Sequence, residues 1–385
     1  MYKKRFLLLI FTILPLLMFA QESFKIKYGP YLQNVSNDEA TVVWVTSKNA
    51  LAWVEVAPDD GSHFYADARP QYFETVNGRK LVGQLHKVKI KGLERGTKYR
   101  YRIYSREVLD NYNWDTSFGK IAASSSYQPF SFTTLDETKD EFSFAVVNDI
   151  HADTLALQDL LNQVELKKKD FVIFNGDMMS HLNSEKLMFE GFLNKSVEMF
   201  APNIPFYFTR GNHETRGPFS TRFMDYFPSP TGKPYFTLRH GPAFFIMLDS
   251  GEDKPDTDIE YGGLSAFDEY REEQAEWLKK VVESDEFKQA PVKIVAIHVP
   301  AFTSSWHGTL HVEQLFIPIL NKAGIDLMFS GHTHRYSFID KGEKGNTFPL
   351  IVNGNRDIMD IDVKGKSIKV VIKDREGNVK QRFNF

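Results

Sequence analysis

The 385-residue chain contains no cysteine and has no large excess of charge of either sign, since 47 Lys and Arg stand against 50 Asp and Glu for a net charge of -3. The absence of cysteine excludes disulfide bonds and lipid attachment through an N-terminal cysteine. Without a broad positive field, the chain also lacks the electrostatic attraction that holds polyanions. No nucleic acid is therefore expected as a partner.

The sequence also has no apolar run of the length that a membrane span requires. Residues 1–5 are basic and residues 6–19 are almost wholly apolar, whereas a spanning helix needs about 20 such residues. A basic start, a short apolar run and a small residue at Ala20 form the pattern of a cleaved secretion signal. We expect a signal peptide at 1–20 and a periplasmic or secreted protein without stable membrane insertion; a membrane anchor is the alternative.

The remaining chain divides into two parts with different hydrophobic patterns. Residues 24–134 are short alternating runs separated by turn residues, which predicts an antiparallel β-sandwich. Within it, residues 92–101 resemble the strand-entry turn of fibronectin type III domains. Trp44, Tyr99 and Tyr101 are interpreted as core aromatics, with a sugar-binding face as the alternative. We place this domain at residues 21–136.

From residue 137 onward, continuous apolar runs alternate with segments of helical periodicity. Runs that are apolar on both faces indicate strands covered by helices on each side. An α/β domain is therefore expected over residues 137–385. Its predicted strands include residues 142–147, 171–174, 205–208, 292–297 and 325–329, and its predicted helices include residues 155–166, 184–199, 266–282 and 312–322.

Side chains that can bind metals follow five of these predicted strands. Ligands of open α/β sheets bind beyond the carboxyl ends of the strands, so we expect these side chains to converge. They are Asp149, His151, Asp177, Asn212, His213, His298, His332 and His334.

Carboxylate, amide and imidazole groups hold divalent first-row metals and leave positions open for water and substrate. An aspartate can use both oxygens to bridge two cations, and two ions ~3.5 to 4 Å apart can clamp a phosphoryl group and lower the pKa of a bound water. Glycines 176, 211 and 331 allow the sharp turns that such a site needs. The alternative is a set of polar caps at strand ends, but so many polar groups would cost stability unless metal compensates.

Five short blocks resemble, in family order, the motifs of the calcineurin-like metallophosphoesterase superfamily. The preceding sandwich is similar to the architecture of purple acid phosphatases. The resemblance implies a four-layer α/β/β/α metallophosphoesterase sandwich preceded by an all-β immunoglobulin/fibronectin-like sandwich. The blocks are Asp149-x-His151, Gly176-Asp177, Gly211-Asn212-His213-Glu214, His298 and Gly331-His332-Thr333-His334.

The same resemblance implies roles for the candidate residues. His213 corresponds to the histidine that contacts the phosphate and protonates the leaving oxygen. His307 follows His298 at a distance similar to that of a substrate-facing histidine of purple acid phosphatases, with an exposed loop histidine as the alternative. Two divalent or trivalent ions, Mn, Zn or Fe, are implied. One would be held by Asp149, His151, Asp177 and His334, and the second by the bridging Asp177 with Asn212, His298 and His332.

The chain departs from the family pattern at two points. Ser180 stands where purple acid phosphatases have the tyrosine that colours the ferric site, so a purple protein is not expected. No aspartate that would orient His213 can be placed, and Ser180 is not expected to take that part. His181 and the loop 251–264 are further candidates for the pocket wall. Arg210 and Arg216 are interpreted as surface charge, with phosphate binding as the alternative.

The predicted function is hydrolysis of a small-molecule phosphomonoester by attack of a metal-bound hydroxide, which makes the protein a metal-dependent phosphatase. Phosphodiester hydrolysis at the same dimetal site stays open. The alternative from another class is a non-catalytic surface or glycan-binding protein whose metal site has decayed. Against it, all seven expected ligand positions are present.

Overall fold

The computed structural model describes residues 23–112 and 115–385. The predicted signal peptide at 1–20 lies outside these residues. Over the described residues, no helix combines the length and the apolar character that crossing a membrane requires.

The first domain is built from antiparallel strands. Seven strands form one sheet, in which the 20-residue β2 pairs with β1 and β6 through its first half and with β3 and β7 through its second, while β4 and β5 form a separate ribbon. Trp44 and Tyr101 are fully buried in the core, as predicted. The strands β1–β9 are Ile26–Gln33, Glu39–Pro58, Gln71–Phe73, Thr75–Val76, Arg79–Lys80, Val82–Lys91, Lys98–Asp110, Ser117–Ala123 and Phe130–Thr133.

The second domain contains two six-stranded sheets, with strand orders β12-β11-β10-β19-β20-β21 and β13-β14-β15-β16-β18-β17. Strands β10, β11 and β12 are parallel in the first sheet, and β14, β15, β16 and β18 are parallel in the second. The strands β10–β21 are Glu141–Val147, Phe171–Phe174, Phe206–Phe208, Phe236–His240, Ala243–Met247, Val292–Ala296, Leu327–Ser330, Ser337–Ile339, Leu350–Val352, Asp357–Lys364, Ser367–Asp374 and Val379–Asn384.

Alternating strand residues fill three apolar layers. Phe144 packs between the two sheets, whereas its neighbour Ala145 belongs to the layer under the helices of the first sheet. Phe244 belongs to the corresponding layer over the second sheet. The predicted four-layer α/β/β/α sandwich is thereby confirmed. Its helices α1–α8 are Thr154–Leu161, Glu185–Met188, Asn194–Met199, Phe223–Tyr226, Phe267–Glu283, Asp285–Gln289, His307–Leu315 and Ile317–Ala323, with a π-helical turn Phe189–Leu193 between α2 and α3.

One predicted helix differs from the structure for a clear reason. The segment expected as a helix over 312–322 is divided between α7 and α8, and Pro318 lies in the first turn of α8. Proline has no backbone N–H and fits the first turn of a helix but not its interior. Helix α7 therefore ends before the proline; it also begins earlier than expected, at His307.

The β-sandwich packs against the edge of the first sheet of the α/β domain. Strand β12 is the edge strand of that sheet, and residues 31–35 of the sandwich lie beside it. Hydrogen bonds join the two domains here: Leu32 N to Ala201 O (3.0 Å), Gln33 Nε2 to Phe206 O (3.0 Å), Tyr207 Oη to Val35 O (2.6 Å), Tyr31 Oη to Tyr226 O (3.0 Å) and Tyr101 Oη to Pro202 O (2.7 Å).

Candidate dimetal site

The loops after β10, β11, β12, β15 and β16 meet at one edge of the two sheets and bring the predicted ligands together. Five of the seven ligands have a left-handed backbone, with φ from 49° to 70°. Such a backbone costs on the order of 1–3 kcal/mol for each residue and persists where surrounding structure enforces it, which is typical of functional sites. The five are Asp149, His151, Asp177, His332 and His334.

The first group of ligands comprises Asp149, His151 and His334. The Nε2 atoms of the two histidines lie 3.1 Å apart. His334 Nε2 lies 3.4 Å from Asp149 Oδ1, and His151 Nε2 lies 3.9 Å from the same oxygen. Three donor atoms that face one small volume are suited to coordinate one cation.

The second group contains Asp177, Asn212, His298 and His332. His298 Nε2 lies 3.0 Å from Asp177 Oδ2, and His332 Nδ1 lies 3.1 Å from Asn212 Oδ1. The ligand atoms of Asp177, His298 and His332 all lie within 4.8 Å of one another. This group matches the second ligand set that the sequence resemblance implied.

Asp177 stands between the two groups through one oxygen. Its Oδ2 atom lies 3.0 Å from His298 Nε2 and 3.9 Å from His151 Nε2. Its Oδ1 atom accepts a hydrogen bond from His213 N at 2.9 Å. Oδ2 is thus the atom of Asp177 that lies near both groups, and a bridging role for Asp177 stays a prediction.

Each of the two groups contains a buried atom that lacks a hydrogen-bond partner, which fits a site for cations. Asp149 Oδ1 and His298 Nε2 are buried and make no hydrogen bond. The other atoms of the same side chains are satisfied, because Asp149 Oδ2 accepts from Asn148 Nδ2 and His332 N, and His298 Nδ1 lies 2.7 Å from Asn175 O. Unpaired buried polar atoms are costly, and a cation held by each group would satisfy the atom that belongs to it.

The electrostatics of the site also suit cations. Burial is the main cause that lowers the pKa of His332 to about 4, which keeps its imidazole in the neutral form that ligates metals. Burial alone would lower the pKa of His298, but the charges of Asp177 and Asp149 raise it to about 10. The two buried carboxylates thus attract positive charge strongly.

Glu214 is a part of the site to which sequence reasoning assigned no role. Its buried carboxylate accepts three backbone hydrogen bonds, from Asp177 N (2.8 Å), Met179 N (3.0 Å) and Gly211 N (3.0 Å). It therefore holds the loop after β11 against the loop after β12. The only signal in the sequence was an acidic residue directly after Asn212-His213 at a strand end.

Two glycines of the motifs allow the side chains of candidate ligands to lie directly against the main chain. A Cβ atom on Gly176, which has φ +86°, would lie 2.3 Å from His298 Nδ1. A Cβ atom on Gly211 would lie 2.2 Å from Asp177 Oδ1. Neither distance is possible for a real side chain, so both positions exclude residues larger than glycine.

His213 faces the ligands and is oriented by the backbone. Its Nδ1 atom lies 2.8 Å from the carbonyl oxygen of Ser180, and its Nε2 atom lies 3.9 Å from Asp177 Oδ2. The side chain of Ser180 does not take the part of the family's aspartate in this contact; the main-chain carbonyl of the same residue supplies the acceptor. With Nδ1 donating, Nε2 points to the pocket. The ring of His181 lies 6.1 Å from that of His213.

His307 is not brought into the ligand groups. Its Nε2 atom lies 2.7 Å from Asp268 Oδ1, beside His311. Over the described residues it makes no hydrogen bond or ion pair with a candidate ligand, so its catalytic role stays a prediction without a contact in support. The buried Arg271 donates to both Asp268 and His311 and supplies positive charge to this cluster.

The two arginines beside the third motif are not surface charges. Arg210 is buried and pairs with Asp249 (2.6 Å), and Arg216 pairs with the buried Glu252 (2.7 Å). The interpretation as surface charge is wrong for both, because each guanidinium pairs with a buried carboxylate. Both carboxylates belong to the loop after β14, which lies far along the sequence from the third motif. That loop does border the site: Asp253 Oδ2 lies 3.7 Å from His332 Nε2.

The fold and this set of side chains define a metallophosphoesterase domain. The family model of calcineurin-like phosphoesterases matches residues 142–336, about half of the chain, and that of the purple acid phosphatase N-terminal domain matches residues 29–134. The chain belongs to the calcineurin-like phosphoesterase family. The predicted resemblance and fold class are both confirmed.

Similar proteins are phosphatases by name. The chain is 25% identical over 316 residues to probable purple acid phosphatase 20 of Arabidopsis thaliana, covering 75% of this chain and 65% of that one. It is 24% identical over 356 residues to Fe(3+)-Zn(2+) purple acid phosphatase 12 of the same plant, covering 83% and 66%. The chain thus spans slightly less than two thirds of each of these two relatives.

Among solved structures, a cold-active protein-tyrosine phosphatase of a Shewanella species aligns with 94% of this chain and 99% of its own, at 12% identity and a TM-score of 0.31. The prediction that the chain belongs to a family of enzymes is confirmed by the family match and by these relatives.

Proposed function

We propose that this protein is an exported dimetal phosphatase that hydrolyses phosphomonoesters. The observation that carries the proposal is the position of Asp177 Oδ2 between two groups of metal-binding side chains, at 3.0 Å from His298 and 3.9 Å from His151. Two ions held by these groups would supply the charge that clamps a phosphoryl group and activates water. The iron and zinc in the name of one relative make Fe and Zn candidates, beside Mn.

The side chains of this protein would hold the ions and protonate the leaving group. Asp149, His151 and His334 would hold one ion, and Asn212, His298 and His332 would hold the other with the shared Asp177. His213, fixed by the Ser180 carbonyl, would protonate the oxygen that leaves with the alcohol. The substrate would be a small phosphoester, because the chain belongs to a phosphoesterase family and its candidate ligands lie at the carboxyl ends of the strands.

Metal content and turnover test this function together. Protein purified without chelator should contain about two ions per chain, as the dimetal mechanism requires. Asp177→Asn should lose at least one ion and nearly all turnover, while the exposed Asp225→Asn should retain both. Fewer than one ion per chain in the wild type, with no turnover on adding manganese or zinc, would favour a non-catalytic binding protein.

The choice between monoesters and diesters needs parallel assays. We expect kcat/KM for 4-nitrophenyl phosphate to exceed that for bis(4-nitrophenyl) phosphate. A clear preference for the diester would replace the monoester proposal with the phosphodiesterase alternative, because the same ligands serve both reactions.

Export rests on the pattern of the first 20 residues. Expression of the full chain in a bacterial host should yield mature protein in the periplasm or medium, with a mass that lacks residues 1–20. A cytoplasmic product of full mass would contradict the proposal.

A further inference from the structure

Arg216 lies beside the site and is held rigidly by a carboxylate. It follows the 3-10 turn His213–Thr215, and its Nε and Nη2 atoms donate to Glu252 Oε1 (2.8 Å) and Oε2 (2.7 Å). Nη2 also lies 3.6 Å from Asp253 Oδ1. A two-point contact of this kind fixes the plane of the guanidinium as well as its position.

The carboxylate partner is itself fixed. Glu252 is only 1% exposed, and it accepts hydrogen bonds from Thr215 Oγ1 (2.7 Å) and Tyr261 Oη (2.9 Å). Partial burial alone would lower the pKa of Arg216, but hydrogen bonding and the charge of Glu252 overcome this effect and raise it. The guanidinium is thus a permanent, preorganised cation.

The third nitrogen of the guanidinium points to the site. Nη1 makes no contact with a carboxylate and lies 3.4 Å from His213 Nε2, the atom that faces Asp177 Oδ2 at 3.9 Å. Across residues 23–112 and 115–385, no other Arg or Lys side chain hydrogen-bonds or ion-pairs with a candidate ligand or with His213. Arg210 differs, because both contacting nitrogens are directed to the buried Asp249.

We propose that Arg216 is a phosphate-binding residue whose Nη1 donates to a non-bridging oxygen of the substrate and thereby favours phosphomonoesters over phosphodiesters. This inference rests on the proposed function. A monoester carries close to two negative charges near neutral pH and three non-bridging oxygens, whereas a diester carries one charge and two such oxygens. With two metal ions and His213 engaging the phosphoryl group, a fixed extra cation contributes most where the additional charged oxygen is present.

The test compares two changes of Arg216 with one change elsewhere. Arg216→Met removes the charge at similar length, Arg216→Lys keeps a charge without the planar fork, and Arg222→Met alters an exposed arginine that pairs with Asp225. For each metal-loaded variant, kcat/KM is measured with 4-nitrophenyl phosphate and bis(4-nitrophenyl) phosphate. Binding of inorganic phosphate is measured by calorimetry, and metal content and Tm are determined.

Arg216→Met should lower kcat/KM for the monoester and the affinity for inorganic phosphate by about 10- to 100-fold, the range of one charge-assisted hydrogen bond. The diester rate should change less than about threefold, since it lacks the additional charge. Arg216→Lys, the variant safer for folding, should shift the monoester-to-diester ratio in the same direction by a smaller factor. Arg222→Met should match the wild type.

Several results would overturn the inference. Unchanged phosphate affinity and an unchanged ratio in both Arg216 variants would do so, as would equal losses on both substrates together with lost metal, which would show a purely structural role. A failure of this inference can be distinguished from a failure of the proposed phosphatase function. A metal-loaded wild type that turns over neither ester, but binds phosphate more tightly than Arg216→Met, would refute the phosphatase and keep Arg216 as a phosphate ligand.

Discussion

The Nδ1 atom of His213 lies 2.8 Å from the carbonyl oxygen of Ser180, which ties the imidazole to the loop that carries Asp177. This hydrogen bond directs Nε2 to the pocket, where Arg216 Nη1 and Asp177 Oδ2 are its nearest charged neighbours. The loop after β11 therefore carries both the candidate metal ligand Asp177 and the carbonyl group that orients His213.

If His213 protonates the leaving oxygen, its loss should matter most for substrates with a poor leaving group. We expect His213→Gln to lower kcat for an alkyl phosphate by about 10²- to 10⁴-fold, the usual contribution of a general acid, and for 4-nitrophenyl phosphate by much less. Kinetics with a series of leaving groups would measure this, with His63→Gln at an exposed position of the β-sandwich as the matched control. Equal losses across the series would contradict an acid role.

Glu214 should be essential for the geometry of the loops rather than for chemistry. Glu214→Ala would leave three buried backbone N–H groups without acceptors, at about 1–3 kcal/mol each before relaxation. Glu214→Gln keeps one acceptor oxygen and should be milder. Urea unfolding and metal titration would compare the two variants. Wild-type stability and metal affinity in Glu214→Ala would show that the three hydrogen bonds contribute neither to folding nor to metal binding.

Gly176 and Gly262 allow the steric effect of an added side chain to be separated from its backbone cost. Both have positive φ, at 86° and 57°, but a Cβ atom meets His298 Nδ1 at 2.3 Å only at Gly176 and nothing within 4 Å at Gly262. An alanine in a left-handed backbone costs about 1–2 kcal/mol. Gly262→Ala should show that cost alone, whereas Gly176→Ala should also lose metal affinity. Metal content and Tm measured on both would decide; equal effects would contradict the steric account.

His86 should make the β-sandwich sensitive to acid. Burial lowers its pKa from 6.5 to about 3. Below pH 6.5, His86 is protonated in the unfolded chain but stays neutral in the folded state. The free energy of unfolding should therefore fall by about 1.4 kcal/mol per pH unit until pH 3. Above pH 6.5 the group has no effect.

A variant isolates this contribution of His86. In His86→Gln, the loss of stability between pH 6.5 and 4 should be shallower than in the wild type, although the contact with Thr46 is altered at every pH. Urea unfolding at a series of pH values measures the difference in slope. Parallel curves for the two proteins would show that His86 is protonated in the folded state.

The sequence allowed the ligands to be predicted because each follows an apolar run, and the topology of parallel strands brings run ends to one edge. His151 and His334 lie 183 positions apart along the chain, and the order of the strands in the sheets brings their side chains together. Local pattern and fold class were therefore sufficient to expect these side chains at one edge, whereas their division into two ligand sets came from the family resemblance.

Contacts that depend on distant side chains could not be predicted in this way. Whether Arg216 is a surface charge depends on Glu252, which lies in another loop, and the orientation of His213 depends on a main-chain carbonyl that no residue type reveals. The sequence spacing between His298 and His307 likewise does not show where the imidazole of His307 points. The start of α7 at His307 and the carboxylate of Asp268 determine where it points.

The packing of the β-sandwich on strand β12 covers an open edge of the first sheet of the α/β domain. An open strand at the end of a sheet offers unpaired main-chain groups to other molecules, and natural proteins avoid self-association by covering it. Here Gln33 donates to the Phe206 carbonyl on that strand. The sandwich thus pairs part of the main chain that this edge strand would otherwise offer to another molecule.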